Sequence, residues 1–125
     1  MTHALIYVTA PDRDTAARLA RSVVEARLAA CANILPGIQS VYWWKGTIET
    51  ADEAALVLKT RTALVPRLTA ELRRLHPYEC PCIVALPIVA GNPGFLRWID
   101  AETRPAPRRR PARRTGARNA TLLSR

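Results

Sequence analysis

Residues 38–60, IQSVYWWKGTIETADEAALVLKT, decide the fold. Ile38 to Trp44 is a β-prone run with Val41 and Trp43 on one face and Tyr42 and Trp44 on the other, because successive strand residues alternate. Lys45-Gly46 predicts a hairpin turn. The return strand starts near Thr47 and is clearest over Ala55 to Thr60, where Val57 and Lys59 oppose Leu56 and Leu58. A long central hairpin leaves exposed edges, and such edges need pairing.

Upstream, Ala4 to Thr9 is a short strand closed by Ala10-Pro11-Asp12, with Asp12 placed to cap a helix. Ala16, Leu19, Ala20, Val23 and Ala26 then line one helical stripe, and this helix is expected to end near Leu28 to Ala30. Pro36-Gly37 reads as a local break before the hairpin. Downstream, Thr62 opens a second helix along Leu64, Leu68, Leu72 and Leu75, with Pro66 in the first turn and His76-Pro77 as the stop. Ile83 to Val89 is a fourth strand, so continuously apolar that it is expected to be covered on both faces, with Pro87 at a bulge or an edge. A short terminal helix, Phe95 to Ala101, follows Pro93-Gly94. The order β-α-β-β-α-β plus this helix predicts an α+β, ferredoxin-like sandwich: an antiparallel sheet with two helices on one face. Such a fold hosts many functions and names none.

Composition sets the frame. A chain of 125 residues suffices for one domain, and 49% hydrophobic with 23% charged residues is the balance of a folded protein. The net charge of +9 comes mostly from the C-terminal end, where residues 104–125 hold eight Arg and no acid. Residues 1–103 are therefore assigned to the globular domain. The Arg/Pro-rich stretch 104–125, with Pro105, Pro107 and Pro111, is assigned to a disordered tail. Such a tail binds nucleic acid weakly and without sequence preference, through phosphate contacts. Cys31, Cys80 and Cys82 make no disulfide framework, no secretory pattern opens the chain, and no apolar run is long enough to span a bilayer. The expected setting is the reducing cytoplasm, away from membranes.

Several strings, in order over residues 4–103, resemble the CutA family of divalent-cation-tolerance proteins. They include Thr9-Ala10-Pro11-Asp12, Leu28-Ala29-Ala30-Cys31-Ala32-Asn33 and Ile34-Leu35-Pro36-Gly37. Ser40-Val41-Tyr42-Trp43-Trp44-Lys45-Gly46, Glu49, Leu58-Lys59-Thr60, His76-Pro77-Tyr78-Glu79, Ala85-Leu86-Pro87-Ile88 and Phe95-Leu96-Arg97-Trp98-Ile99 continue the series. The resemblance implies a ferredoxin-like subunit, a homotrimer built by strand pairing around a three-fold axis, and a role in the response to metals such as copper. It implies no reaction.

His76 and Glu79 are the leading polar pair, since imidazole suits copper and zinc; the alternative is that His76 caps the second helix. Cys80 and Cys82, at i and i+2, fall on one face and suit a soft metal, or else pack as small buried hydrophobes. Copper or another divalent metal is thus the expected ligand, without an obligatory cofactor. Cys31 reads as a packing residue. Family members from bacteria place copper at a Cys near the end of the first strand and two adjacent His before Pro-Tyr. Here Val8 and Leu75 stand at two of those places and only His76 matches, so the resemblance carries an incomplete copper site. Trp44, Glu49, Lys59, Tyr78 and Trp98 match positions around a cleft between subunits, and suit either a small anionic or zwitterionic ligand or interface packing.

No G-x-S-x-G, P-loop or G-x-G-x-x-G is present, and no enzymatic activity is expected. Two other readings share the element order. A small-ligand-sensing signalling trimer, as in nitrogen regulation, has the same architecture. An RNA-binding module stacks bases on exposed sheet aromatics, but Ala55 to Thr60 lacks the Gly-Phe-aromatic signature of such modules. A heavy-metal-associated copper chaperone requires C-x-x-C after the first strand, where Thr9-Ala-Pro-Asp12 stands instead.

Overall fold

The computed structural model describes residues 2–105; the proposed tail lies, from residue 106 on, outside the described residues. Five segments build the front half: β1 (His3–Ala10), α1 (Arg13–Glu25), β2 (Cys31–Trp44), β3 (Thr47–Arg61) and a 3-10 turn at Thr62–Leu64. They are followed by α2 (Val65–Leu75), β4 (Ile83–Ile88) and α3 (Pro93–Glu102). The sheet order is β2-β3-β1-β4 with every neighbouring pair antiparallel, so β1 and β2 run parallel with β3 inserted between them. This is the split βαβ arrangement expected from the element order. Among the described residues no helix is long and apolar enough to cross a membrane.

The core lies between one sheet face and helices α1 and α2. Alternation puts Ala4, Ile6, Val8 and Ala10 of β1 inward, beside Leu56, Leu58 and Thr60 of β3. Ala16, Leu19, Ala20 and Val23 cover them from α1, and Leu68 and Leu72 from α2. Asp12 caps α1 by accepting from the Thr15 N–H at 2.8 Å, which holds its carboxyl below the ordinary range. Inside this layer the Thr60 hydroxyl, fully buried, donates to the Leu28 carbonyl at 2.7 Å and so pairs a polar group that would otherwise be costly to bury.

Three differences from the expected elements have local causes. The first helix stops at Glu25, short of Leu28, because Arg27 takes a left-handed φ of 62° and turns the chain toward β2. Pro36-Gly37 does not end an element; it forms a bulge within β2, where the register passes from Leu35↔Ala55 to Ile38↔Glu53. Gly37 at φ 80° supplies the left-handed residue that such a bulge uses. The fourth strand is not covered on both faces: Val84 and Leu86 stand 49% and 48% exposed on this edge strand, on the face where α3 reaches Leu5 and Ile88 but leaves these two side chains open. Pro87 on this edge costs no ladder bond on the outer side.

Beyond Ala10↔Ala54, where β1 pairing ends, β2 and β3 continue alone as a two-stranded arm over residues 38–53. Lys45 and Gly46, at φ 50° and 86°, form the two-residue turn at its tip. The terminal helix α3 is tied to the rest of the chain. His3 Nε2 lies 2.8 Å from Asp100 Oδ1, and Arg61 donates to both the hydroxyl and the carbonyl of Thr103, each at 2.8 Å. Leu58 sits at the centre of the core with no exposed surface. Leu58→Ala is expected to cost about 2–5 kcal/mol, read as a lower urea midpoint at an unchanged denaturant slope.

Candidate functional site

At the root of the arm lies a cleft of about 500 Å³. Its floor is Thr9 at the end of β1 and Glu53 of β3; its walls are Ser40, Tyr42 and Trp44 from β2 and the segment Tyr78 to Cys82. The bulge makes this wall. By adding one residue to β2 it inverts the alternation, so Ile38, Ser40, Tyr42 and Trp44 share the face of Glu53, while Val41 and Trp43 turn to the opposite one.

His76 organises the far wall. Its Nε2 lies 2.8 Å from the Thr9 carbonyl and its Nδ1 lies 3.1 Å from the Tyr78 backbone N–H. A carbonyl only accepts and an amide N–H only donates, so Nε2 carries the proton and Nδ1 the lone pair. Both ring nitrogens are thereby engaged within the chain, and the side chain is 7% exposed. Tyr78 stacks at a tilt on this ring, with centroids 4.8 Å apart, and donates its hydroxyl to Glu53 Oε2 at 2.5 Å.

Burial first, and then the hydrogen bond to the Glu53 carboxylate, push the Tyr78 phenol above its ordinary value of 10.0. Cys31, half-buried away from this cleft, has its thiol pushed up by burial, against a smaller opposing effect of Lys59. That suits the packing role expected for it.

The expected metal residues divide. Glu79, Cys80 and Cys82 are exposed and line the cleft together; His76 lies beneath the wall, held by its two hydrogen bonds. Among the described residues no three His, Cys, Asp or Glu side chains converge as a metal site. One chain in this arrangement therefore does not fit a His76-centred divalent site.

The five expected cleft residues also separate within one chain. Trp44 and Tyr78 belong to the cleft at the arm. Lys59 and Trp98 line a second, apolar groove of about 650 Å³ between α3 and the sheet, where Lys59 Nζ donates to Asn33 Oδ1 at 2.6 Å. Glu49 stands exposed on the arm near its tip and accepts from the Thr47 hydroxyl at 3.2 Å.

Sequence reasoning missed Glu53, a 9%-exposed carboxylate at the centre of the first cleft. Its signal was present: an acid between the apolar strand segment and the arm needs a partner when buried, and Tyr78 supplies it.

A split βαβ subunit with a projecting hairpin arm and a polar–aromatic cleft at its root defines a small ferredoxin-like α+β subunit. The chain belongs to the CutA1 divalent ion tolerance protein family, which it matches over residues 4–102. It is 46% identical over 98 residues to the divalent-cation tolerance protein CutA of Archaeoglobus fulgidus, covering 78% of this chain and 95% of that one. To the chloroplastic protein CutA 1 of Oryza sativa subsp. japonica it is 45% identical over 100 residues, covering 80% of this chain. The chain spans 54–56% of the length of this rice protein and of its mouse, Arabidopsis and human relatives.

Among solved structures, CutA1 from Oryza sativa superposes with a TM-score of 0.81 at 42% identity, covering 85% of this chain and 97% of that one. The periplasmic divalent cation tolerance protein CutA from Archaeoglobus fulgidus gives 0.79 at 44%, covering 82% and 99%.

Because the unfolded phenol ionises at its ordinary value and the folded one resists, Tyr78 contributes stability below pH 10.0 that is lost as pH rises through the raised folded value. Alkaline melts of the wild type are expected to fall more steeply above pH 10.0 than those of Tyr78→Phe, with the phenolate absorbance of one tyrosine delayed in the wild type alone.

Proposed function

We propose that this chain serves divalent-cation tolerance as a self-associated trimer that binds metal and catalyses no reaction. Membership in the CutA1 family supports the role, and the arm supports the assembly. Val41, Trp43 and Ile48 share one face of the arm and stand 67%, 71% and 60% exposed. A two-stranded hairpin bearing large apolar side chains and free edges is marginal alone and gains most by packing on another copy. Three copies are what the family resemblance implies.

The metal contact we assign to the Cys80 and Cys82 thiols, since thiolates suit copper and both side chains are exposed on one cleft. His76 is assigned to positioning: it holds Tyr78 and the chain around it. Free thiols suit a reducing compartment such as the cytoplasm. The observation that carries the reading is the exposed arm, which the subunit leaves without a covering layer.

Light scattering tests the assembly. The wild type is expected at three times the chain mass, and Trp43→Glu at the mass of one chain with unchanged circular dichroism. A monomeric wild type sinks the trimer. Calorimetric titration with copper tests the metal. Binding should disappear in the Cys80→Ser/Cys82→Ser double variant and persist in His76→Gln; the reverse pattern would return the site to the imidazole.

A further inference from the structure

We propose that the cleft at the root of the arm is a binding site for a small organic ammonium ion, distinct in chemistry from the metal contact at its thiol end. Three aromatic rings, Tyr42, Trp44 and Tyr78, and two carboxylates, Glu53 and Glu79, line it. No Lys or Arg is among its lining residues, although the sequence as a whole is basic at +9. A site walled by π faces and floored by a carboxylate favours a cation that is bulky and weakly hydrated, because the ring quadrupoles attract the charge while the ring bodies cover the alkyl part.

Two details point to nitrogen. The Lys45 ammonium of the turn sits 5.5 Å from the Trp44 ring centroid, so that ring already meets one alkylammonium group of the chain itself, which a ligand in the cleft displaces or shares the ring with. At the floor, Tyr78 takes Glu53 Oε2, and Oε1 has no hydrogen-bond partner among the described residues. This carboxylate oxygen, an acceptor left open to the cleft on a residue otherwise 9% exposed, is matched by an N–H of an alkylammonium ion, with Thr9 and Ser40 of the lining as further hydroxyl-bearing neighbours. The second groove lacks this chemistry: its walls are apolar and its charged residue is Lys59.

The test is calorimetric titration of the full-length, chelator-treated protein with n-butylammonium, and with n-butyrate as the matched anion. Saturable binding of n-butylammonium without binding of n-butyrate is expected. Glu53→Gln, which keeps an acceptor for Tyr78, is expected to weaken it about tenfold. Trp44→Leu, on the exposed arm, is expected to weaken it about fivefold. No saturable binding to the wild type, equal binding of the anion, or affinity unchanged in both variants overturns the proposal. Since no metal is present in this titration, failure of copper binding and failure of ammonium binding are separate results.

Discussion

One inserted residue governs the functional side of this subunit. Between Leu35 and Ile38, β2 carries an extra residue relative to β3, and the alternation of side chains inverts at that point. Without the bulge, Val41 and Trp43 would stand over Glu53 and the cleft would have an aliphatic wall. With it, Ser40, Tyr42 and Trp44 take that face, and the more apolar set, Val41, Trp43 and Ile48, is presented on the other side. Gly37 makes the inversion cheap, because its φ of 80° is one that a residue with a Cβ rarely adopts. The open space around it shows that backbone conformation, rather than a close neighbour, requires glycine there.

The two halves of the molecule divide the work accordingly. The α1–α2 layer buries Ile6, Leu56, Leu58, Leu68 and Leu72 completely and secures the fold within one chain. The arm does the opposite: it keeps large apolar side chains exposed, and its strands leave β1 behind at Ala10. Stability therefore resides in the local sandwich, and within one chain the two-stranded arm adds little to it. His76 links the two regimes. It ends α2, bonds the last turn of β1 through Thr9, and fixes Tyr78, whose hydroxyl satisfies Glu53. A ring held at both nitrogens is well suited to positioning and poorly suited to metal.

Much of this was legible in the sequence, and the failures share a cause. Periodicity located part of every strand and every α-helix, and the CutA strings located the family, because those signals are local. It missed the half of β2 at residues 31–35 and read the 3-10 turn at Thr62–Leu64 as the start of α2. Pro36-Gly37 was misread as a break because a turn signal and a bulge signal use the same residues; only the register of the partner strand tells them apart. The apolar run at Ile83 to Val89 was read as doubly covered because composition reports what a surface prefers to contact, and not whether the contact lies within one chain. Glu53 went unnoticed for the same reason. Its partner, Tyr78, is 25 residues away, across an entire helix.

That last failure explains why the metal and cleft residues separated as they did. His76, Glu79, Cys80 and Cys82 fall within seven residues and read as one constellation, yet at the end of α2 the His76 ring turns inward to Thr9 while the following segment lines the cleft. Contiguity in sequence brought together residues with different surroundings. Strand pairing brought together Thr9, Glu53 and Trp44, which are distant in sequence and line one cleft. In a split βαβ fold the interior strands collect side chains from both halves of the chain, so a site is more truly read from register than from adjacency.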